Sequence, residues 1–522
     1  MAYKGFVGSG TVGHFLTTTD LQNRFPADTY AGRRATVEIT VGSATQYFSD
    51  GLSWKPIPLL ATDANLVTVN GLVTQDGSVK NLRRKTRRIM SRSLTGRAAA
   101  LPLTDALFPA NSNTNGLSLH YRVAAACDFD AIRILVPNMH TSTVSGVTAS
   151  IGLTDALGTW QTTAPTANNI GANTTVAPVS NQGISSTGTN TILCTFSSAT
   201  SATLPPAIDA ASLMSSYTPS DWIPASAVTR TDGGTFPLVD VRLYYPAGST
   251  ATMAYTGGTY NAWAMWGRDD LITGGRAWRV WAQAVESVAT PANFTSVSTV
   301  PYMVPIVVQY RARKSGAITT LVCGDSIYEG SAGATYTGNN FTWLATLDLS
   351  TTDAPMEQCN LTIPGGSTLV LSRYLAQLIS LVKPSVVVAE TASVNNFGST
   401  LGQRTIQNGL GALGVAQANA YEVDCQLVTA TMFPVTNAAK AYGATDSFRQ
   451  SLNTLIKTNS DSGNAYTVID AGTVLDGGVV SGQTEPLPSV IAADGVHLND
   501  TGHLAMKPLV KAALSAALAR LF

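Results

Sequence analysis

The run Ile318-Thr319-Thr320-Leu321-Val322-Cys323-Gly324-Asp325-Ser326-Ile327-Tyr328-Glu329-Gly330 changes character at its midpoint. Ile318 to Val322 is apolar, β-branched and bounded by Gly316 and Gly324, the pattern of a short buried strand. Gly324-Asp325 then breaks the pattern and leaves Ser326 just past the strand, at the sheet edge where ligands bind in open α/β sheets. A hydroxyl is a weak nucleophile until a base takes its proton. Histidine can do so near neutral pH, and a carboxylate can hold its tautomer. Asp494-Gly495-Val496-His497 supplies both types, three residues apart, so one turn can present them to Ser326.

Gly324-Asp325-Ser326-Ile327 and Asp494-Gly495-Val496-His497 resemble the first and last blocks of the SGNH (GDSL-type) hydrolase family. The resemblance covers residues 315–522. It implies a three-layer α/β domain with a parallel sheet, and ester hydrolysis without metal or cofactor. Ser326 takes the nucleophile's place, His497 the base's and Asp494 the acid's. Asn360-Leu361-Thr362-Ile363-Pro364-Gly365-Gly366 resembles the second block, which implies the Gly365 N–H as an oxyanion-hole donor, with Gly366 as the alternative one position on. Ser393-Val394-Asn395-Asn396 resembles the third block, whose Asn395 would add a side-chain N–H beside the N–H of Ser326. The family pattern there is Gly-x-Asn-Asp, so Ser393 and Asn396 are departures. The rival α/β-hydrolase elbow, Gly-x-Ser-x-Gly, is not found in the chain.

The remainder of this part alternates strand and helix patterns. Arg373–Val382 has helical apolar spacing and stops before Pro384, and Ser447–Thr458 places Phe448, Leu452 and Leu455 on one face. Thr501–Leu521 places Val510, Leu514, Leu518 and Leu521 on one stripe. Ser385–Ala389, Gln426–Met432 and Tyr466–Ile469 read as strands. Such alternation implies a parallel sheet covered on both faces.

A length of 522 residues implies about three domains. Basic and acidic residues balance at 32 each, so no global field steers the chain to nucleic acid. Only 12% of residues are charged, about half the usual share, and Ser, Thr, Ala and Gly take their place, as in β-rich extracellular or virion proteins. No run approaches the ~18 apolar residues of a membrane span. Met1-Ala2-Tyr3-Lys4 opens no signal-peptide apolar region, so the expectation is either a cytoplasmic protein or one that leaves the cell by another route. Cys127, Cys194, Cys323, Cys359 and Cys425 are scattered, with no CxxC pair to suggest zinc or a disulfide framework. Cys323 reads as a small buried apolar residue. His14, His120, His140 and His503 lack metal-ligand spacing, and His503 reads as structural.

The first three-fifths is organised differently. Residues 1–77 carry glycine-rich turns and strand-like runs at Ala35–Val41 and Leu66–Val73. Tyr47 to Pro56 reads as a hairpin ending on Trp54, and this stretch resembles small β modules at the start of some phage tail and fibre proteins. Residues 78–100 hold a basic run, Lys80, Arg83, Arg84, Lys85, Arg87, Arg88, Arg92 and Arg97, which reads as a solvated linker or a helix against an acidic neighbour, with contact to an anionic glycan or nucleic acid as the alternative. Residues 101–314 are expected to form a β-sandwich or jelly-roll, with strands at Ala131–Val136, Leu238–Tyr245, Trp278–Val285 and Val304–Tyr310. Trp263, Trp266, Trp278 and Trp281 are a candidate carbohydrate-binding face, with core packing as the simpler reading. The expectation is a multidomain serine esterase that removes O-acetyl groups from a bacterial surface polysaccharide. It would be part of a phage tail fibre or tailspike in the virion tail, assembled as a homo-oligomer, with a trimer favoured. Two alternatives remain: a non-catalytic receptor-binding or structural virion protein with a degenerate SGNH fold, or a lipase-type hydrolase with no virion role.

Overall fold

The computed structural model describes residues 11–15, 34–40, 43–49, 54–56, 89–93, 117–138, 142–153, 191–207, 215–225, 238–246, 279–283, 288, 306–313, 315–330, 340–396, 409–416, 420, 425–436, 439, 446–461, 466–480 and 483–521. The chain forms two compact units, Met1–Val79 and Lys80–Phe522. In the first, β1 (Thr11–Phe15), β2 (Arg34–Thr40), β3 (Ser43–Ser49) and β4 (Trp54–Pro56) make a four-stranded sheet in that order. β1 is parallel to β2, and the remaining pairs are antiparallel. β3 and β4 are the hairpin expected around Tyr47–Pro56. The strand expected at Leu66–Val73 lies outside the described residues.

The second unit begins with a β-sandwich. One sheet runs β10-β8-β13-β6-β14, built from β6 (Leu117–Ala124), β8 (Val144–Leu153), β10 (Ala202–Leu204), β13 (Leu238–Tyr245) and β14 (Arg279–Gln283), with β9 (Thr191–Leu193) beside β8. The other runs β11-β7-β15-β5, from β5 (Ile89–Ser93), β7 (Phe129–Asn138), β11 (Ser216–Pro219) and β15 (Val307–Ala312), with β12 (Ile223–Pro224) beside β7. The basic run is thus corrected in part. Ile89–Ser93 is neither linker nor helix but a strand paired antiparallel with β15, and Arg92 within it is buried. Trp263, Trp266 and Trp278 lie outside the described residues.

Side chains alternate across a strand. Ile132, Ile134 and Val136 of β7 enter the sandwich core, as do Val308 and Tyr310 of β15. Leu135 and Val307 point the other way, into a core they share with the α/β layer that follows. This sheet is therefore buried on both faces. Polar groups tie the two parts together as well. Glu357 Oε1 accepts the Ala126 N–H and the Tyr310 hydroxyl, both at 2.9 Å, and the Arg92 guanidinium lies 3.8 Å from Glu357 Oε2. Ser91 N–H donates to Thr319 Oγ1 at 3.0 Å, Asn360 N–H to Ser93 Oγ at 2.9 Å, and Gln309 Nε2 to Leu381 O at 2.9 Å.

The α/β layer is a five-stranded, all-parallel sheet in the order β17-β16-β18-β19-β20: β16 (Ile318–Cys323), β17 (Met356–Asn360), β18 (Val386–Ala389), β19 (Gln426–Ala430) and β20 (Tyr466–Ile469). Along β18, Val387 and Ala389 face one core while Val386 and Val388 face the other. Helices of this layer include, in chain order, α1 (Ser326–Glu329), α2 (Phe341–Leu349), α3 (Thr368–Val382), α4 (Asp446–Asp461), α5 (Gly472–Leu475) and α6 (Asp500–Ala519). α3 and α4 cover the first face through Tyr374, Leu375, Leu378, Leu452 and Ile456. α2 and α6 cover the second through Phe341, Ala345, Met506, Val510 and Leu514. α3 stops where expected: Lys383 turns into the left-handed region at φ 53°, and Pro384 cannot extend the helix. A hairpin, β21 (Asp476–Val480) and β22 (Gln483–Pro486), intervenes before the last loop.

His503 lies in the first turn of α6, fully buried and stacked on Phe341 with ring centroids 5.4 Å apart. Neither ring nitrogen has a partner among the described residues. Burial, and to a lesser degree His497, pushes its pKa down to about 3. The imidazole is therefore neutral in the fold. A depressed histidine contributes stability that is present above its unfolded pKa, near 6.5, and is lost as pH falls toward the folded value. Replacing it by leucine, His503→Leu, should flatten the fall of Tm between about pH 6.5 and pH 3, where the wild type loses stability. Parallel Tm-versus-pH curves would show that His503 does not titrate with unfolding.

Candidate active site

Ser326 leaves the C-terminal end of β16 as the first residue of α1. The turn has little room: a Cβ on Gly324 would sit 2.5 Å from the Tyr328 ring. Asp325 caps α1 by accepting the Ile327 N–H on Oδ1 at 2.8 Å. On the far side of the site, Asp494 organises its own loop. Its Oδ1 accepts the N–H groups of Val496 and His497 at 2.9 and 3.0 Å. Gly495 sits between Asp494 and these donors at φ +71°, and a Cβ there would run into Thr436 Oγ1, so both backbone shape and space require glycine.

That loop brings the His497 ring to Ser326. Asp494 Oδ2 lies 2.6 Å from His497 Nδ1, and His497 Nε2 lies 2.7 Å from Ser326 Oγ. All three groups are satisfied when Nδ1 carries the hydrogen and Nε2 accepts the serine proton. Half-burial works to raise the Asp494 pKa. Hydrogen bonds from the His497 ring and from the N–H groups of His497 and Val496 outweigh it and hold the carboxyl well below the usual range. Asp494 is therefore ionised at any pH where the chain would act, which favours the Nδ1–H tautomer.

The segment Ile363-Pro364-Gly365-Gly366 is a tight turn with Pro at its second position and Gly365 at φ +72° at its third, the type II pattern. Gly366 N–H closes it by donating to Ile363 O at 2.8 Å, and a Cβ on Gly366 would meet that oxygen at 2.7 Å. The Gly366 N–H is thus committed. The N–H groups of Gly365 and Ser326 have no partner among the described residues. Between Gly365 and Gly366, the open donor is Gly365.

Asn395 lies in a single 3₁₀ turn, Val394–Asn396, after β18. Its Nδ2 donates to Asp325 Oδ2 at 3.0 Å, with a longer approach of 3.3 Å to Gly366 O. One amide hydrogen is held by Asp325, and the second makes only long approaches, 3.3 Å each, to Gly366 O and Ser393 Oγ, which it can exchange for a reacting oxygen. Ser393, where the family has glycine, fills its place with a hydroxyl. Its Oγ lies 2.8 Å from Asp325 Oδ2 and 2.9 Å from Gly366 O, and accepts the Asn395 N–H at 3.1 Å. The departure from the pattern thus adds a link between the three loops. Neither this role nor the burial of Glu390 behind Asp325 was legible in sequence. The only hint was a carboxylate directly after the apolar run Val386–Ala389. The side chain of Asn396 lies outside the described residues. Among the described residues no group of three His, Cys, Asp or Glu is placed to hold a metal ion. Cys323, on β16, is buried, and burial followed by the nearby Glu390 pushes its thiol up to about 12, so it is not a competing nucleophile.

No family model matches this chain, and no curated protein does. Solved structures similar to its C-terminal part are GDSL-type hydrolases. They include a GDSL-like lipase from Bacteroides thetaiotaomicron, 19% identical over 38% of this chain and 88% of that one, with a TM-score of 0.29. A lipase/acylhydrolase from Enterococcus faecalis is 17% identical over 38% of this chain and 96% of that one, at 0.29. A family 3 carbohydrate esterase from Clostridium thermocellum is 16% identical over 39% and 98%, at 0.28. At such TM-scores the likeness is weak, and what the site can do follows from its distances and charges.

Proposed function

We propose that residues 315–522 hydrolyse carboxylic esters with Ser326 as nucleophile. The observation that carries this reading is the unbroken chain from Asp494 through His497 to Ser326, with links of 2.6 and 2.7 Å, at the C-terminal edge of a parallel sheet. His497 Nε2 takes the Ser326 proton as Oγ attacks the ester carbonyl. The carbonyl π electrons move to oxygen, which the N–H groups of Ser326 and Gly365 stabilise together with the Asn395 amide, whose second hydrogen gives up its long contact to Gly366 O. Collapse expels the alcohol, which leaves with the proton from His497. Water then attacks the acyl-serine, His497 takes its proton, and the same steps in reverse release the acid and restore Ser326. Asp494 keeps the imidazole oriented and stabilises its transient charge.

The test is turnover of p-nitrophenyl acetate together with labelling by a fluorophosphonate. Ser326 is expected to carry the label, read by mass spectrometry. Labelling elsewhere, or hydrolysis that survives without Ser326, would overturn the reading. Asn395→Ala is expected to lower kcat roughly a hundredfold with little change in KM, because an oxyanion donor acts mainly on the transition state. If Asn395 only braces its loop, Tm falls while kcat of the folded fraction stays put.

The finer reading is that the ester is an O-acetyl group on a bacterial surface polysaccharide. The chain would reach it from a virion tail, as a trimeric fibre or tailspike. Its support is the resemblance of Tyr47–Pro56 to phage tail modules and the length of β-rich chain ahead of Ile318. Acetate release from an O-acetylated capsule polysaccharide should outpace hydrolysis of long-chain p-nitrophenyl esters. Light scattering of the intact chain should give three times the monomer mass; a monomer at micromolar concentration defeats the trimer.

A further inference from the structure

Glu390 directly follows β18 and is 7% exposed, while the neighbouring Asp325 is fully buried. Glu390 Oε2 accepts the Asp325 N–H at 2.6 Å, which brings the two buried carboxyl groups within strong electrostatic reach of each other. Two buried carboxyl groups in contact cannot both ionise cheaply, so the pair keeps one proton. The surrounding donors decide where it sits. Asp325 receives the Ile327 N–H on Oδ1 and faces the Ser393 hydroxyl and the Asn395 amide on Oδ2. Among the described residues Glu390 receives only the Asp325 N–H. The negative charge therefore belongs on Asp325 and the proton on Glu390.

The other titratable groups facing the pair are Cys323 on β16, Tyr328 on α1 and His497 in the last loop. Burial pushes the Cys323 thiol and the Tyr328 phenol up, so both are neutral. No lysine or arginine contributes to the pKa of either carboxyl among the described residues. Burial, and then the Asp325 charge, pushes Glu390 well above the ordinary carboxyl range.

We propose that Glu390, in its protonated form, is a positioning residue for the oxyanion hole: it fixes the Asp325 carboxylate, which holds the Asn395 amide and the Ser393 hydroxyl. The proposal rests on the esterase reading above and adds to it a pH limit that His497 and Asp494 do not supply. As pH rises through the raised Glu390 pKa, a second negative charge forms against Asp325. The carboxyl groups then repel, Asn395 loses its anchor, and kcat falls while KM holds. The fold responds with the same sign. A carboxyl whose folded pKa is raised contributes stability that is present below its unfolded pKa and is lost as pH rises through the folded value.

The experiment measures kcat and KM for p-nitrophenyl acetate against pH, corrected for spontaneous hydrolysis, in the full chain and in Glu390→Gln, Glu390→Ala and Ser326→Ala. Glutamine has the shape and neutrality of the protonated acid. Glu390→Gln is expected to keep kcat within about threefold at neutral pH and to shift the alkaline fall in kcat upward or abolish it, whereas Glu390→Ala lowers kcat roughly tenfold or more at unchanged KM. Alkaline limbs that coincide in the wild type and Glu390→Gln overturn the proposal, as does a glutamine variant as impaired as the alanine one. If Glu390→Ala does not fold, the wild type and Glu390→Gln decide alone. Should hydrolysis not depend on Ser326, the esterase reading falls and this role falls with it. Should it depend on Ser326 while the limbs coincide, only the role of Glu390 falls.

Discussion

Ser326→Ala is expected to lower kcat/KM for short acyl esters by at least about a thousandfold. The loss belongs almost wholly to kcat, because a missing Oγ removes a bond formed in the reaction and almost no ground-state contact. His497→Ala should cost a similar factor, and the double variant little more, since nucleophile and base act as one unit. The geometry explains why the coupling is tight. Ser326 Oγ has its base already in place at 2.7 Å, and that base has its carboxylate at 2.6 Å, so no rearrangement precedes proton transfer. Residual hydrolysis in Ser326→Ala would come from the oxyanion donors acting on bound water. The decisive measurement is the full set of single and double variants at one pH, with folded concentration fixed by circular dichroism. Additive losses would mean that Ser326 and His497 act separately. Wild-type activity in Ser326→Ala would remove the serine mechanism altogether.

The strands that carry this site were readable because their residues agree with their surroundings. β16 and β18 are fully buried and nearly all apolar or β-branched, and β20 begins and ends where Tyr466–Ile469 predicts. β17 was not readable. Met356-Glu357-Gln358-Cys359-Asn360 has no apolar run, yet all five residues are buried. Polar side chains on it find partners elsewhere in the chain: Tyr310 and Ala126 reach Glu357, and Thr342 and Thr346 reach Gln358. No local pattern encodes such partners. The basic run misled for the same reason. Arg92 looked like one of several solvated cations but is buried in β5 against Glu357 and the Trp343 ring. The site divides along the same line. Ser326, Asp494 and His497 stand in short motifs with local geometry, whereas Glu390 and Ser393 act through Asp325, which lies 65 and 68 residues away in sequence.

Those long-range partners set the second large effect. Glu357→Ala is expected to destabilise residues 80–522 by about 3–5 kcal/mol, the usual consequence of removing one member of a buried ion pair. The carboxylate accepts the Ala126 N–H and the Tyr310 hydroxyl and sits 3.8 Å from the buried Arg92 guanidinium, so its loss strips an acceptor from two donors and the counter-charge from one cation. All of them lie where the sandwich meets edge strand β17. The effect should therefore reach the site, since Asn360, the last residue of β17, opens the loop that ends in Gly365 and Gly366. The two parts also share apolar packing through Leu135 and Val307, so they should melt in one transition, and Glu357→Ala should lower that single Tm without splitting it. Arg92→Met in the Glu357→Leu background tests the electrostatic part. If desolvated charge rather than cavity formation dominates, the apolar pair recovers much of the loss, as replaced buried ion pairs often do. Two separate transitions in the wild type, or an unchanged Tm in Glu357→Ala, would mean that the sandwich and the α/β layer are independent bodies. In that case a fragment starting at Ser315 should fold alone; with the weld intact, it should not.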